Sequence, residues 1–471
     1  MRRSFTNTGV IHFVGIGGIG MSGIADILLN LGYNVRGSDL KENAMITRLT
    51  RKGVKVTIGH EANNVHGASV VVVSSAISKD NPEILEARKL HIPVVKRAEM
   101  LAELMKMKYS VAVAGTHGKT TTTSLVAAIL DQAGMDPTVI NGGVINAYNS
   151  NARLGSGEWV VVEADESDGS FTKLASTIAV VTNIDFDHID NFKDFSELRG
   201  LFSQFVESIP FYGVGILCID HPEVAKVAAN TVDRRIITYG LSEKAAVSCQ
   251  NLTLSASGSH FDVCFSDELI KNFSLKQNCW KNISIPMFGK HNAQNALAAI
   301  SVAVELGISE ENVRIALGSF MGVKRRFTRV AEINGVTVID DYAHHPVEIA
   351  AVLNAARTSC SGNIYAVMQP HRHTRLKNFL DDFAKVLELS DHAFITPIYS
   401  AGERHNDVDH FSLLKKIQEN GTVKADFVQD VSTLAAKISP ILRSGDFVIF
   451  LGAGDITQWA YNFPNFFNTE R

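Results

Sequence analysis

Cysteine is scarce and scattered in this chain. The five that occur, Cys218, Cys249, Cys264, Cys279 and Cys360, form no C-x-x-C pair and no metal-ligand spacing. A disulfide scaffold and a thiolate zinc site are therefore not expected, whereas five reduced thiols in a cytoplasmic protein are. Long apolar runs are lacking as well: no uninterrupted stretch approaches the ~20 residues that cross a bilayer, so no membrane insertion is expected. Nor is there an excess of positive charge. The 45 Lys and Arg stand against 49 Asp and Glu, a net charge of −4, which leaves no basic footprint for nucleic acid. Solenoid-length repeats and low-complexity tracts are absent. Met1-Arg2-Arg3 ahead of Val10 to Val14 imitates a signal peptide, but His12 and the glycines from Gly15 to Gly20 interrupt the apolar segment. A strand entering a glycine turn fits those residues better.

What is present is alternation. A chain of 471 residues exceeds the roughly 250 to 300 that one hydrophobic core serves, so two or three domains are expected. From Val10 to about Lys106, short apolar strands (Val10 to Val14, Asn34 to Gly37, Val70 to Ser74) alternate with helical stretches (Met21 to Leu31, Pro82 to Leu90). That alternation predicts a parallel sheet with helices on its faces. A second unit opens with a strand at Ser110 to Ala114 and a helix at Thr121 to Gln132 closed by Gly134. Buried strands at Trp159 to Glu163 and Ile178 to Asn183 follow, then Ser- and Asn-rich alternation from Val247 to Met287 that reads as short antiparallel strands, then a helix at Asn292 to Glu305. After Lys324-Arg325-Arg326 the pattern restarts. Asn334-Gly335 between two apolar runs predicts a hairpin, and strands at Ile364 to Gln369, Ala393 to Pro397 and Phe447 to Leu451, with a helix at Arg375 to Leu389, complete a third α/β domain.

Two loops carry phosphate chemistry. Gly115-Thr116-His117-Gly118-Lys119-Thr120 follows a strand and opens a helix, the setting in which backbone N–H groups cradle phosphates. Lys119 is placed to reach the β and γ phosphates, and Thr120 to hold a magnesium ion. Val113 stands where the full G-x-x-x-x-G-K-[ST] pattern has glycine, so the loop is a shortened variant. The earlier loop, Gly15-x-Gly17-Gly18-x-Gly20 with Asp39 at the end of the next strand, matches a dinucleotide fingerprint. Its geometry accepts any nucleotide diphosphate, and glycines also serve plain helix-on-strand packing.

Carboxylates at strand ends, Glu163 to Asp168 and Asn183 to Asp187, face the same side and suit hard cations, although an acidic loop is often merely solvated. His188 is by itself a structural histidine, since imidazole suits softer metals. Asp340 to Pro346 and Gln369 to Arg375 each follow a strand; their histidines lack the spacing of a zinc site, and their arginines suit an anion-recognising surface.

Together these residues resemble the Mur ligase family over essentially the whole chain. The resemblance is carried by the first glycine loop, Ala114 to Thr121, Glu163 to Ser167, Asn183 with Asp187-His188, Gly289 to Asn295, Arg325-Arg326-Phe327 and Asp341 to Pro346. It implies three α/β domains: a Rossmann-like N-terminal domain for a UDP-sugar (1–106), a central P-loop ATPase-type domain (107–322) and a Rossmann-like C-terminal domain for the amino acid and closure (323–471). It further implies an ATP-dependent carboxylate–amine ligase of peptidoglycan synthesis that uses UDP-N-acetylmuramate and L-alanine, with Mg2+ or Mn2+.

Carried onto this sequence, the resemblance makes Lys119, Glu163, His188 and Arg326 catalytic, and Thr120, Glu163 and His188 metal ligands. ATP would be bound by Ala114, Gly115, Thr116, His117, Gly118, Lys119, Thr120, Thr121, His291, Asn292, Asn295, Arg326 and Asp341. Gly15, Gly17, Gly18, Gly20, Ser38, Asp39, Ser74 and Ser75 would hold the UDP-sugar, and Tyr342, His344, His345, Arg372 and Arg375 lie on the amino-acid side.

One departure is visible: relatives that use a carbamoylated lysine have it downstream of the aspartate–histidine pair, and Leu198 to Ser208 contains no lysine. Ser167, where the branch that recycles murein tripeptides carries an aromatic residue, favours single L-alanine. An NAD-dependent oxidoreductase is the rival of another class, and it leaves the second phosphate loop without a role.

Overall fold

The computed structural model describes residues 9–467 except 75, 107, 167–168, 186–193, 256–257 and 404–406. The chain opens with β1 (Val10–Val14), α1 (Ile19–Asn30), β2 (Val35–Asp39), α2 (Ala44–Arg51), β3 (Lys55–Ile58), β4 (Ala68–Val73), α3 (Pro82–Lys89), β5 (Val94–Lys96) and α4 (Arg97–Met105). These strands form a five-stranded parallel sheet in the order β3-β2-β1-β4-β5. The order reverses at β1, and in such sheets ligands sit beyond the carboxyl ends of the strands at that reversal. The glycine loop leaves β1 at that place.

The second sheet comprises β6 (Tyr109–Ala114), β7 (Thr138–Ile145), β8 (Ser150–Arg153), β9 (Trp159–Glu163), β10 (Ile178–Val181), β11 (Val214–Cys218), β12 (Ile236–Gly240), β13 (Val247–Ser255), β14 (Gly258–Phe265) and β15 (Cys279–Ile285). Its helices are α5 (Lys119–Gln132), α6 (Phe195–Glu207), α7 (Pro222–Asn230), α8 (Asp267–Phe273), α9 (Lys290–Glu305) and α10 (Glu310–Gly318). The strand order is β15-β14-β13-β12-β11-β10-β6-β9-β7-β8. The strands β7, β9, β6, β10, β11, β12 and β13 pair in parallel along it, so the central ones are buried on both faces, which is why Val111 to Ala114 and Val160 to Val162 read as unbroken apolar runs. Between 247 and 285 the structure places the three neighbouring strands β13, β14 and β15.

The third sheet is built from β16 (Thr328–Ile333), β17 (Val336–Asp341), β18 (Ile364–Met368), β19 (His392–Ile395), β20 (Lys424–Phe427) and β21 (Phe447–Leu451), in the order β16-β17-β21-β18-β19-β20. Its helices are α11 (Pro346–Ser359), α12 (His373–Asn378), α13 (Leu380–Leu387), α14 (His410–Asn420), α15 (Val431–Ile438) and α16 (Ile456–Asn462). The hairpin expected at Asn334-Gly335 is present: β16 and β17 are antiparallel, and both turn residues have positive φ, 51° and 80°, as a two-residue type I′ turn demands. The helix expected from Arg375 to Leu389 is instead two, α12 and α13, broken at Phe379, whose φ of −123° is not helical.

Two compact units contain these sheets. One comprises Met1–Asn251, Phe261–Ile285 and Gln294–Met321; the other comprises Leu252–His260, Pro286–Ala293 and Gly322–Arg471. Inside the first unit the first two sheets are locked together. One apolar cluster runs from Ile24 and Ile27 of α1 to Ile140 of β7 and Ala152 of β8. Buried Asn151 donates to the carbonyl of Ile19 at 2.6 Å while accepting from Arg48 at 3.1 Å. A buried amide satisfied on both ends fixes orientation as well as contact.

One expectation is overturned. Cys264 and Cys279 are joined in a disulfide, leaving Cys218, Cys249 and Cys360 free. The pair lies 15 residues apart with α8 between, and only the adjacency of β14 and β15 brings the two together, so a spacing rule that looks for C-x-x-C is blind to it.

Candidate nucleotide and substrate sites

In the first glycine loop, Gly15 has φ of 81°, and its N–H and that of Ile16 both donate to the carbonyl of Ser38. The Gly17 N–H donates to Asp39 Oδ2 at 2.8 Å, and a Cβ on Gly17 would stand 2.6 Å from the Asn43 side chain. Gly18 then caps α1 without any side-chain partner, so the first-turn N–H groups face outward for a ligand. Asp39 thus shapes the loop. Ser38 is fully buried and donates to Glu83 Oε2 at 2.7 Å, which turns its hydroxyl into the domain. Ser74 is half-buried beside the end of β1, where its N–H donates to the carbonyl of Val14. Ser75 lies outside the described residues.

The shortened phosphate loop closes because β10 braces it. Asn183 accepts the Thr116 N–H on its carbonyl and the His117 N–H on its side chain at 2.7 Å. Thr182 Oγ1 and Asn183 Nδ2 both donate to the His117 carbonyl, at 2.7 and 2.9 Å. Gly115 and Gly118 have φ of 135° and 81°, and a Cβ on Gly118 would stand 2.6 Å from Asn295 Oδ1. Asn295 is thereby packed against the loop, and it also accepts from Thr122 at 3.1 Å. Val113, in the place of the missing glycine, is fully buried inside β6 and belongs to the sheet.

Lys119 points back across this loop. Its Nζ donates to the carbonyls of Gly115 (2.6 Å) and Thr116 (3.1 Å) and pairs with Glu166 at 2.8 Å. Burial works against its charge, but Glu166, Glu163 and Asp165 together outweigh that and raise its pKa. Burial pushes the Glu166 carboxyl up to about 7, with Lys119 opposing. Nothing in the sequence singled out Glu166 as the lysine's partner, because an acidic run does not say which carboxylate turns inward.

Glu163, at the end of β9, accepts the Gly142 N–H at 2.8 Å, and a Cβ on Gly142 would stand 2.4 Å from its Oε1. The backbone of β7 therefore reaches the carboxylate only because residue 142 is glycine. Buried Thr120 is in the first turn of α5. Hydroxyl and carboxylate oxygens are the donors a hard cation takes, and magnesium uses one or two carboxylates together with substrate phosphates, so these residues fit it. Among the described residues no three His, Cys, Asp or Glu form a self-sufficient metal cage. Asp187 and His188 lie outside the described residues, as does Ser167.

In the second unit, Arg325 and Arg326 share one aromatic ring: their guanidinium carbons stand 4.7 and 5.5 Å from the Tyr342 ring centroid. Arg325 also donates to the carbonyls of Gly452 (2.6 Å) and Gly454 (3.1 Å), with φ of 62°, and Phe327 has φ of 47°. Two strained residues flanking Arg326 are tolerated because the surroundings over-determine them. Asp341 accepts the N–H groups of Phe327 and Ala343, both at 2.7 Å, and burial raises its pKa to about 6 against the opposing pull of Arg326. His291 and Asn292 belong to this unit, whereas Asn295 belongs to the other. Burial, helped by Arg326, lowers His291 to about 4.

The residues expected on the amino-acid side form an aromatic and cationic cluster. His344 meets Tyr342 and His371 edge-on, and His371 stacks on Tyr399 with ring centroids 5.6 Å apart. Arg372 is held by Glu403 at 2.6 Å, and buried Arg375 follows on α12. His345 is placed differently: its ring caps α11 and packs on Phe379, a role in the helix end. The sequence reading left out His371's stacking partner Tyr399 and the brace Glu403, which come from loops that only the fold brings near.

Two glycine loops that open helices, with strand-end carboxylates in mostly parallel sheets, mark an α/β enzyme of the nucleotide-using kind. Three family descriptions match in order: Mur ligase family, catalytic domain, over residues 10–109; Mur ligase middle domain over 113–303; and Mur ligase, glutamate ligase domain, over 325–454. The chain belongs to the Mur ligase family, and is an ATP-dependent ligase of three α/β domains. It is 55% identical over 460 residues, 97% of each chain, to a UDP-N-acetylmuramate–L-alanine ligase of Bradyrhizobium sp. (strain ORS 278). The solved UDP-N-acetylmuramate–alanine ligase of Thermotoga maritima superposes with a TM-score of 0.83 at 28% identity, covering 98% of this chain and 100% of that one. A murein peptide ligase from Psychrobacter arcticus 273-4 shares the fold with a TM-score of 0.71 at 24% identity, covering 98% and 99%.

Proposed function

We propose that this enzyme joins L-alanine to the lactyl carboxylate of UDP-N-acetylmuramate at the expense of ATP, in the cytoplasm. The observation that carries the reading is the pair of anion-binding loops, Gly15 to Gly20 and Gly115 to Thr120, held within one interlocked unit with Glu163 and Asp165 beside them. An oxidoreductase has use for the first loop only. The likeness to the Bradyrhizobium ligase, over nearly all of both chains, supports L-alanine over a tripeptide as the amine. The domains are assigned as 1–106 for the sugar nucleotide, 107–322 for ATP and 323–471 for the amino acid.

A carboxylate is a poor acyl donor because oxide would have to leave. Its oxygen attacks the γ-phosphorus of ATP, the bond to the β-γ bridging oxygen breaks, and ADP departs from an acyl phosphate. The amine then adds to that carbonyl, loses its proton, and phosphate leaves. Positioning and charge neutralisation dominate such transfers. Lys119 neutralises the β and γ phosphates from inside the loop, and Asn295 keeps Gly118 in register. Thr120 and Glu163 would hold one Mg2+ and His188 a second; bound there, the ions would supply charge neutralisation at the phosphates. Arg326, presented on Tyr342, contributes a second cation, and Arg372 and Arg375 offer guanidinium forks to the amino acid's carboxylate.

The test is phosphate release with ATP, magnesium and UDP-N-acetylmuramate, adding L-alanine or the murein tripeptide in turn. Turnover with L-alanine is expected. Turnover only with the tripeptide, or tight NADH binding without sugar-nucleotide binding, would overturn the reading.

A further inference from the structure

Arg97 is the first residue of α4, yet its side chain runs away from its own helix to the first turn of α1. The arginine Cδ, Nη1 and Cζ stand 3.2, 3.3 and 3.7 Å from where a Cβ on Gly20 would be. Glycine at residue 20 therefore lets the guanidinium lie close against the first turn of α1. The opposite edge of that guanidinium is fixed: Nη2 donates to Asp165 Oδ2 at 3.0 Å, and the arginine side chain is only 16% exposed. Asp165 sits two residues beyond Glu163 on the loop after β9, so one arginine touches both the glycine-loop helix and the acidic strand end.

We infer that Arg97 is a diphosphate-binding residue of the sugar-nucleotide site, held in position by Asp165. This rests on the assignment of the first glycine loop to a UDP-sugar. Three considerations carry it. The first turn of α1 contains no acidic residue, and its N-cap Gly18 has no side chain to take up the N–H groups there. A planar guanidinium anchored on one edge keeps its remaining N–H donors in a fixed plane, which suits oxygens that lie along a diphosphate. The guanidinium also lies against the first turn of α1, so a Cβ at residue 20 would press on it and the arginine would have to give by a few tenths of an ångström.

The experiment is calorimetric titration of the full-length protein with UDP-N-acetylmuramate, UDP and UMP, on wild type, R97Q, R97K, D165N and the R97Q/D165N double variant, with thermal melts as a folding control. Losing a charge-assisted pair of this kind weakens binding about 10- to 100-fold. R97Q should do so for UDP-N-acetylmuramate and UDP alike while shifting UMP by less than about threefold, and R97K should recover part of the loss. In turnover, KM for the sugar nucleotide should rise while KM for ATP stays within about threefold. The effect of R97Q should be smaller in the D165N background, since the two residues act as a unit.

Equal UDP affinity in wild type and R97Q overturns the inference while leaving the assigned function standing. An equal loss for UMP and UDP also overturns it, because the contact would then not be with the diphosphate. Additive effects of R97Q and D165N remove Asp165 as the positioning partner. If wild type itself binds neither UDP-N-acetylmuramate nor UDP, the functional assignment fails first. Should R97Q not fold, R97K and D165N carry the same comparison.

Discussion

Glu166 and Lys119 offer the most direct measurement of how the phosphate loop is poised. The two charges stand 2.8 Å apart with side chains 3% and 13% exposed, so their gross attraction is about 6 kcal/mol at an effective dielectric of roughly 20. Desolvation offsets most of that, and the informative quantity is the cost of removing one partner, about 3 to 5 kcal/mol for a buried pair. Glu166→Ala leaves the lysine hydrogen-bonded only to the carbonyls of Gly115 and Thr116, with Glu163 and Asp165 as its remaining counter-charges, and should lower the melting point by roughly 6 to 20 °C, given ~2 to 4 °C per kcal/mol for a domain of this size. Bound ATP brings its own counter-charge to the lysine, so saturating nucleotide should raise the melting point more in E166A than in wild type. Removing both partners abolishes the stranded charge, and K119A/E166A should therefore melt above E166A while losing ~10³- to 10⁵-fold in turnover. Scanning fluorimetry with and without ATP reads all three. An E166A variant that melts within about 1 °C of wild type, or whose ATP shift equals the wild-type shift, would refute the reasoning.

Sequence pattern reached several strands that are buried on both faces, but it passed over β11 (Val214–Cys218), which is buried throughout, as well as exposed edge strands. The strands Val10–Val14, Trp159–Glu163 and Phe447–Leu451 are found at their expected bounds, because continuous apolar runs mark the middle of a parallel sheet. Strands β3, β5 and β20 escaped notice: they lie at sheet edges, are half-exposed, and mix lysine or threonine with their apolar residues. At the sites, glycines and Lys119 were legible because their chemistry is local to the loop. What was hidden is each residue's long-range partner. Glu166 lies 47 residues from Lys119, Arg97 68 residues from Asp165, and Arg325 127 residues from Gly452. Burial also reassigns residues that composition can only name: Ser38 turns toward Glu83, and His345 toward its own helix end.

Arg326→Ala should abolish turnover yet leave sugar-nucleotide affinity within about threefold, whereas Arg325→Ala, which removes the anchor on Gly452 and Gly454, should lower kcat with the Arg326 charge still present; wild-type kcat in R325A would remove Arg325 as the positioning residue. The disulfide closes a loop of 15 residues, for which chain entropy contributes about 3 kcal/mol, so dithiothreitol and Cys264→Ser should each lower stability by up to that amount; reductant that destabilises C264S further would contradict the assigned pairing. Acid should destabilise the second unit through two histidines. Burial, with Arg326 in one case and His344, Arg375 and Arg372 in the other, lowers His291 to about 4 and His371 to about 3. Between those values and ~6.5 the unfolded chain binds protons that the folded unit refuses, so stability falls as pH drops through this window, by about 2 kcal/mol per histidine at pH 5. Asp341 acts in the opposite sense: with its folded pKa raised to about 6, the native state takes up a proton first as pH falls, which returns roughly 1.4 kcal/mol at pH 5. The net loss between pH 7.5 and pH 5 should then be ~2 to 3 kcal/mol in urea melts, and His371→Gln should remove about 2 of it. An acid loss in H371Q equal to that of wild type would mean that His371 takes its proton in the fold despite Arg372, Arg375 and the stacked Tyr399, and the neutral reading of the cluster would fall with it.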